Sequence, residues 1–263
     1  MAITREEFIR RAAANIFWTD MARKPEDRTP LDTESANELL CSCLFNRGIP
    51  WSLAMSIVTE MKRRTGYTDT LLMLTELSSE MLEWVMFDDD TDCSAVGGRS
   101  GSLHRYRYMA GLAHGLGMTL KSEFEGSAMN LWKDEPTGAQ LLARVMDFKG
   151  IGAKIGSLFV RIVVLSHGVQ LWDTYASMEV SPDRHVQRVM QRLGLIGQDA
   201  TPKQVIEAAR MLSPMCPCEV DGFFCVGLDW CHASRQECHG NTNEEGGTER
   251  EECPLLRVCS SAR

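Results

Sequence analysis

Apolar residues recur at every third or fourth position along most of this 263-residue chain and almost nowhere alternate with period two. The sequence therefore predicts helices throughout, with strands few or absent. Thr4 with Glu7 has the pattern of a capping box opening a first helix that reaches Ile16, and a polar, Pro-containing linker over 24–30 ends that unit. Ala36, Leu39, Leu40, Cys43 and Leu44 form the stripe of a second helix. After a turn at Ile49-Pro50-Trp51, residues Ala54, Ile57, Val58 and Met61 form a third. Further helices are predicted over 70–77, 79–87 and 104–116 and around 125–132, and Thr201-Pro202 with Gln204 starts another, with Pro at its first position. Residues 88–102, rich in Asp, Gly and Ser, read as a long surface loop.

A chain of this length with 44% hydrophobic residues can bury one large or two small cores. It holds no apolar run of membrane-spanning length, and residues 1–20 lack the core and cleavage site of a secretion signal, so a soluble, cytoplasmic protein is expected, nucleoid-associated in a bacterium. The net charge of -8 runs against a nucleic-acid partner. Much of the excess is local, in Asp88, Asp89, Asp90 and Asp92 and again in Glu244, Glu245, Glu249, Glu251 and Glu252, which leaves a basic face elsewhere open. Of ten cysteines, seven lie from Cys216 to Cys259. In a reducing compartment such a cluster points to metal or cluster ligation rather than disulfides.

Three motifs carry chemistry. Leu141, Leu142, Val145 and Met146 share a face of one short helix, and Ile155, Leu158, Phe159, Ile162 and Val163 share a face of the next. Between them runs Phe148-Lys149-Gly150-Ile151-Gly152-Ala153-Lys154. Glycines in such a turn admit positive φ and let backbone N–H groups approach a phosphate at a helix N-terminus, although a plain helical hairpin has the same pattern. Further on, Ser181-Pro182-Asp183-Arg184-His185-Val186-Gln187-Arg188-Val189 leads into a stripe of Val186, Val189, Met190 and Leu193, which puts Asp183 at a helix start, where it also reads as an N-cap. Asp173, in Trp172-Asp173-Thr174-Tyr175, is the rival carboxylate. The third motif is the cysteine tail: six residues separate Cys231 from Cys238 and five separate Cys253 from Cys259, with fourteen, 239–252, between the pairs. Zinc or an iron-sulfur cluster suits such thiolates, and Cys216, Cys218 or Cys225 is an alternative source of a ligand.

In this order the three motifs resemble those of the endonuclease III-like helix-hairpin-helix DNA glycosylases: a Leu-Pro-Gly-Val-Gly-Arg-Lys hairpin, a Val-Asp-Thr-His-Val-x-Arg-Val segment and a C-x6-C-x2-C-x5-C loop. Here Lys149 takes the place of the hairpin proline, Arg184 follows the aspartate, and the central cysteine spacing is longer. The resemblance runs from the hairpin to the end of the chain and before it covers only the general helical order.

The resemblance implies an all-α fold of two domains, a six-helix barrel over 31–159 and a second domain of 1–30 with 160–263 carrying the cluster loop, with Asp183 and Lys154 facing each other across a cleft. It implies a monomer that binds double-stranded DNA holding a damaged, mismatched or modified base and flips that base out. Gly150, Gly152 and Lys149 would grip the backbone. Asn46 and Arg47, with Leu103 as wedge, would fill the opened duplex. Asp183 would stabilise charge developing on the sugar, Lys154 would attack it to form a Schiff base, and Cys231, Cys238, Cys253 and Cys259 would hold a 4Fe-4S cluster of structural role. The expected activity is removal of a damaged or modified pyrimidine with cleavage at the abasic site. The alternatives are a monofunctional glycosylase and a non-catalytic DNA-binding module.

Overall fold

The computed structural model describes residues 4–47, 49, 51–87, 103–231 and 253–259, with backbone alone at 20, 21, 87 and 103–107. The secondary structure of these residues is helical, and among them there is no strand. No helix is long and apolar enough to cross a membrane among the described residues.

The chain divides into two compact units. One comprises residues 29–136 and 140–159; the other comprises 1–28, 137–139 and 160–263. The first unit contains α2 (Thr33–Phe45), α3 (Trp51–Thr65), α4 (Thr70–Glu76), α5 (Ser79–Phe87) and α6 (Leu103–Glu123), with most of α7 (Gly138–Met146) and the first half of α8 (Ala153–His167). Asp32 caps α2 by accepting the Ser35 N–H at 2.7 Å, and Asp69 caps α4 by accepting that of Leu72 at 2.9 Å. Leu40, Leu44, Val58, Met73, Leu74, Leu82, Leu120, Leu131, Leu141, Val145 and Phe159 are fully buried there. α6 runs on past its predicted end to Glu123, and Gly117 lies where it abuts α4: a Cβ at that position would lie 2.6 Å from the Leu74 Cβ. The helix expected around 125–132 is instead a tight turn followed by one 3-10 turn, Ala128–Leu131. Glu125 (φ 52°) and Gly126 (φ 79°) are left-handed, which stops α6. The buried Asn37 amide then fixes the turn, donating to the Gly126 carbonyl at 3.0 Å and accepting from the Ala128 N–H at 2.8 Å.

The second unit is built on α1 (Arg5–Ile16), the second half of α8, α9 (Arg184–Arg192), α10 (Pro202–Leu212) and α11 (Gly222–Asp229). The expected capping box at α1 is half formed. Thr4 accepts the Glu7 N–H, while the Glu7 carboxylate pairs with Arg10 and Arg11, which hold it down to about 2. At α10 the box is complete, Thr201 with Gln204. Ile9, Ala13, Val186, Val189, Met190, Val205, Ala209, Phe223 and Val226 share one apolar core. α1 meets α11 at Gly222, where a Cβ would collide with the Ala13 carbonyl, and α11 meets α9 at Gly227, where a Cβ would lie 2.7 Å from that of His185.

Candidate functional site

The hairpin joins α7 to α8 with both helices in the expected register, Leu141 and Val145 buried on one and Ile155 and Phe159 on the other. Its two glycines differ. Gly150 has φ +93°, and a Cβ there would lie 2.6 Å from the Leu112 side chain, so both handedness and space require glycine. Gly152 is exposed, has no positive φ, and a Cβ on it would meet nothing within 4 Å. Nothing in the protein's own packing asks for glycine at that position. What glycine leaves there is open backbone at the start of α8, where amide N–H groups lack intrahelical partners. Lys149 is exposed on the turn and Lys154 is half-buried in the first turn of α8.

Arg47 sits in the same unit and is committed to the hairpin. Its Nη2 donates to the Gly150 carbonyl, and its guanidinium lies 5.8 Å from the centre of the Tyr108 ring. The structure thus places this residue as a brace on the turn. Asn46 ends α2, its N–H bonded to the carbonyls of Ser42 and Cys43. The side chain of Leu103 lies outside the described residues, as do residues 88–102 and the insertion 239–252.

In the other unit Asp183 is 4% exposed and caps α9, its carboxylate accepting the His185 N–H at 2.8 Å. Its own N–H donates to the Ser181 carbonyl at 2.6 Å, closing a tight turn over Pro182. The chain before that turn is held by a buried carboxylate: the Ser181 N–H donates to both Asp221 oxygens, at 3.0 and 3.2 Å. Asp221 is 0% exposed and stands 2.5 Å from Arg161 Nη1. The two form an ion pair almost wholly out of water. Burial pushes the Asp221 carboxyl up to about 6, against the opposing pull of Arg161.

The rival aspartate has other work. One Asp173 oxygen accepts the Gly138 N–H at 3.1 Å, while the other takes the Ser177 hydroxyl, and Ser177 in turn accepts the Ala139 N–H. Asp173 is thus spent on capping the start of α7.

Arg161 and Asp221 escape a motif search. The signal that finds them is a charge out of pattern: Arg161 interrupts the apolar run from Phe159 to Val164, and Asp221 stands between Val220 and Gly222-Phe223. A charge in such a run needs a buried partner.

Three of the four proposed ligand cysteines are described. Cys231 and Cys253 belong to the apolar core, and Cys259 packs against it. Cys231 and Cys259 both meet Arg192: its Nη1 lies 3.0 Å from the Cys231 Sγ, and the Cys259 Sγ lies 3.8 Å from its carbonyl. Burial pushes the Cys231 thiol up, and the Arg192 and Arg188 charges oppose that. Cys238 lies outside the described residues. Among the described residues no three Cys, His, Asp or Glu side chains gather as a metal-binding group. Of the alternative ligands, Cys216 and Cys218 lie against each other, Sγ to Sγ 3.3 Å, and Cys225 packs on the core.

The helical architecture, with a glycine-bearing hairpin ahead of an aspartate-capped helix, is shared with solved structures of DNA glycosylases. The solved structures that share it are specific. A trapped covalent intermediate of endonuclease III with DNA superposes at a TM-score of 0.63, with 17% identity, over 99% of this chain and 97% of that one. A non-covalent endonuclease III–DNA complex gives the same figures, TM-score 0.63 at 17% identity. A thermostable thymine-DNA glycosylase matches at 0.60, with 14% identity, over 98% of this chain and 96% of that one. No family model and no curated protein matches the chain. At such identities the likeness establishes the fold.

Proposed function

We propose that this chain is a DNA glycosylase with abasic-site lyase activity, which removes a damaged or modified pyrimidine from duplex DNA. The observation that carries this reading is a buried aspartate fixed as the cap of α9, in a chain whose hairpin carries one glycine that its own packing does not require. The fold shared with endonuclease III, one of whose structures is a trapped covalent DNA intermediate, adds to it.

The open backbone at Gly152 and the first amides of α8 bind a phosphate, with Lys149 adding a positive charge, which positions the duplex without reading its sequence. Cleavage of the glycosidic bond sends the bonding electrons out with the base and leaves positive charge on the sugar. The Asp183 carboxylate stabilises that charge. The Lys154 amine donates its lone pair to the sugar carbon C1′ and gives up a proton; the C1′–O4′ bond then breaks, O4′ takes up a proton and a protonated Schiff base remains, from which loss of a C2′ proton expels the 3′ phosphate and cuts the strand. Arg47 serves this machinery through Gly150, by fixing the turn. Cys231, Cys238, Cys253 and Cys259 are the thiolates that would hold a 4Fe-4S cluster, and the joint contact of Cys231 and Cys259 with Arg192 supports their convergence. Through these thiolates a cluster would tie the C-terminal segment to the core.

Borohydride trapping tests the chemistry. The wild type should form a covalent adduct with a lesion-bearing duplex, and Lys154→Ala should lose it. Base release without any adduct would instead establish a monofunctional glycosylase, the reading to which the likeness to a thymine-DNA glycosylase lends weight. Visible absorbance of the purified protein, brown for iron and colourless for zinc, separates the two metals.

A further inference from the structure

We infer that Asp221 is a positioning residue for the proposed glycosylase reaction: by holding the Ser181 N–H it sets the turn that carries Asp183. The inference rests on the reading above.

Every link is a backbone or buried contact. Asp221 has no freedom of its own, because α11 starts at the next residue and Gly222 is pressed against the Ala13 carbonyl of α1. Both of its oxygens converge on one N–H, that of Ser181. Ser181 then accepts the Asp183 N–H, and the proline between them has no N–H and a fixed φ. A displacement of the Ser181 amide is therefore transmitted to Asp183 with little slack. Arg161 fixes Asp221 from the α8 side.

The cost of this arrangement indicates its purpose. A fully buried carboxylate is expensive to desolvate, and its pairing with a cation seldom returns more than that cost. Two apolar residues would fill the space with equal or better stability. What they would not supply is an acceptor for the Ser181 N–H. The groups around Asp221 divide in sign: Arg161 favours its charge, while Asp183 opposes it and the Cys216–Cys218 thiols sit nearby on its own turn.

The test separates rate from affinity in the full-length protein. Single-turnover base release is measured on duplexes carrying one oxidised pyrimidine, one uracil or one G·T mismatch, and Kd on a duplex with a tetrahydrofuran abasic analogue. Asp221→Ala, which removes the acceptor of the Ser181 N–H, should slow base release about 10- to 100-fold, as a misplaced reacting group does, and leave Kd within about threefold. Wild-type rates in Asp221→Ala, or equal losses in rate and affinity, overturn the inference. Should that variant fail to fold, Arg161→Lys decides: a slower rate at unchanged Kd upholds the inference, and the wild-type rate overturns it. If the wild type releases no base from any duplex, the parent reading fails and this inference with it. If the wild type is active, Asp183→Asn is dead and Asp221→Ala is fully active, only this inference falls.

Discussion

Two turns dominate this molecule, and they are held by opposite means. The hairpin turn at Gly150 is gripped through a carbonyl, by a cation: Arg47 donates to it while Leu112 and Leu44 leave no space for a side chain. The turn before Asp183 is gripped through an amide, by an anion: Asp221 accepts the Ser181 N–H. In the first case the half-buried charge takes a carbonyl and leaves Gly152, two residues on, exposed. In the second the buried charge is negative and lies near a carboxylate whose own charge it opposes. The difference teaches that a turn's brace is chosen by what the turn must leave open as much as by what it must hold.

The largest expected effect is at the anionic turn. Asp183→Asn should keep the α9 cap, since an amide oxygen still accepts the His185 N–H, yet lower single-turnover base release by about 100- to 1000-fold with duplex affinity retained. Equal activity in that variant would reduce Asp183 to a cap. Next comes pH. Because the Asp221 carboxyl is raised from 3.8 to about 6, the folded chain binds its proton more tightly than the unfolded one does. Its contribution to stability is fully present below pH 3.8 and is lost as pH rises through about 6, a change on the order of 3 kcal/mol. Urea unfolding of the wild type minus that of Asp221→Asn, followed from pH 4 to 7, should show this slope; a flat difference refutes it.

At the hairpin, Gly150→Ala should cost about 2 kcal/mol of unfolding free energy, from strain at positive φ and overlap with Leu112. The smallest effect on stability is the most telling. Gly152→Ala meets no neighbour, so its unfolding free energy should stay within about 1 kcal/mol of the wild type, on the side of a gain. Duplex affinity should nevertheless fall. A variant that binds DNA as well as the wild type would show that the open backbone is not where the phosphate goes.

Much of the fold was legible in the sequence because its helices are amphipathic and their starts are marked by Thr, Asp and Pro. The hairpin and the capping position of Asp183 were legible for the same reason, being local. What failed was also local in origin but decided elsewhere. The stretch around 125–132 has helical spacing, yet a buried Asn37 from α2 takes its backbone groups. α6 runs on past its apolar pattern to Glu123. The contact of Arg47 with the Gly150 carbonyl, 103 residues on, follows no spacing rule and was not foreseen. Asp221 was invisible because its partner amide is 40 residues distant and no spacing rule connects them.

The seam between α1 and α11 has a consequence for biosynthesis. Ile9, Ala13 and Ile16 share a core with Phe223 and Val226, and Arg5 donates to the carbonyls of Leu193 and Val258. A ribosome delivers the first of these segments long before the last. The unit around the hairpin, whose residues run from 29 to 159, is complete while the opening helix still waits with its greasy stripe uncovered. A chain made from its amino end thus presents the α1 stripe before the residues that cover it exist.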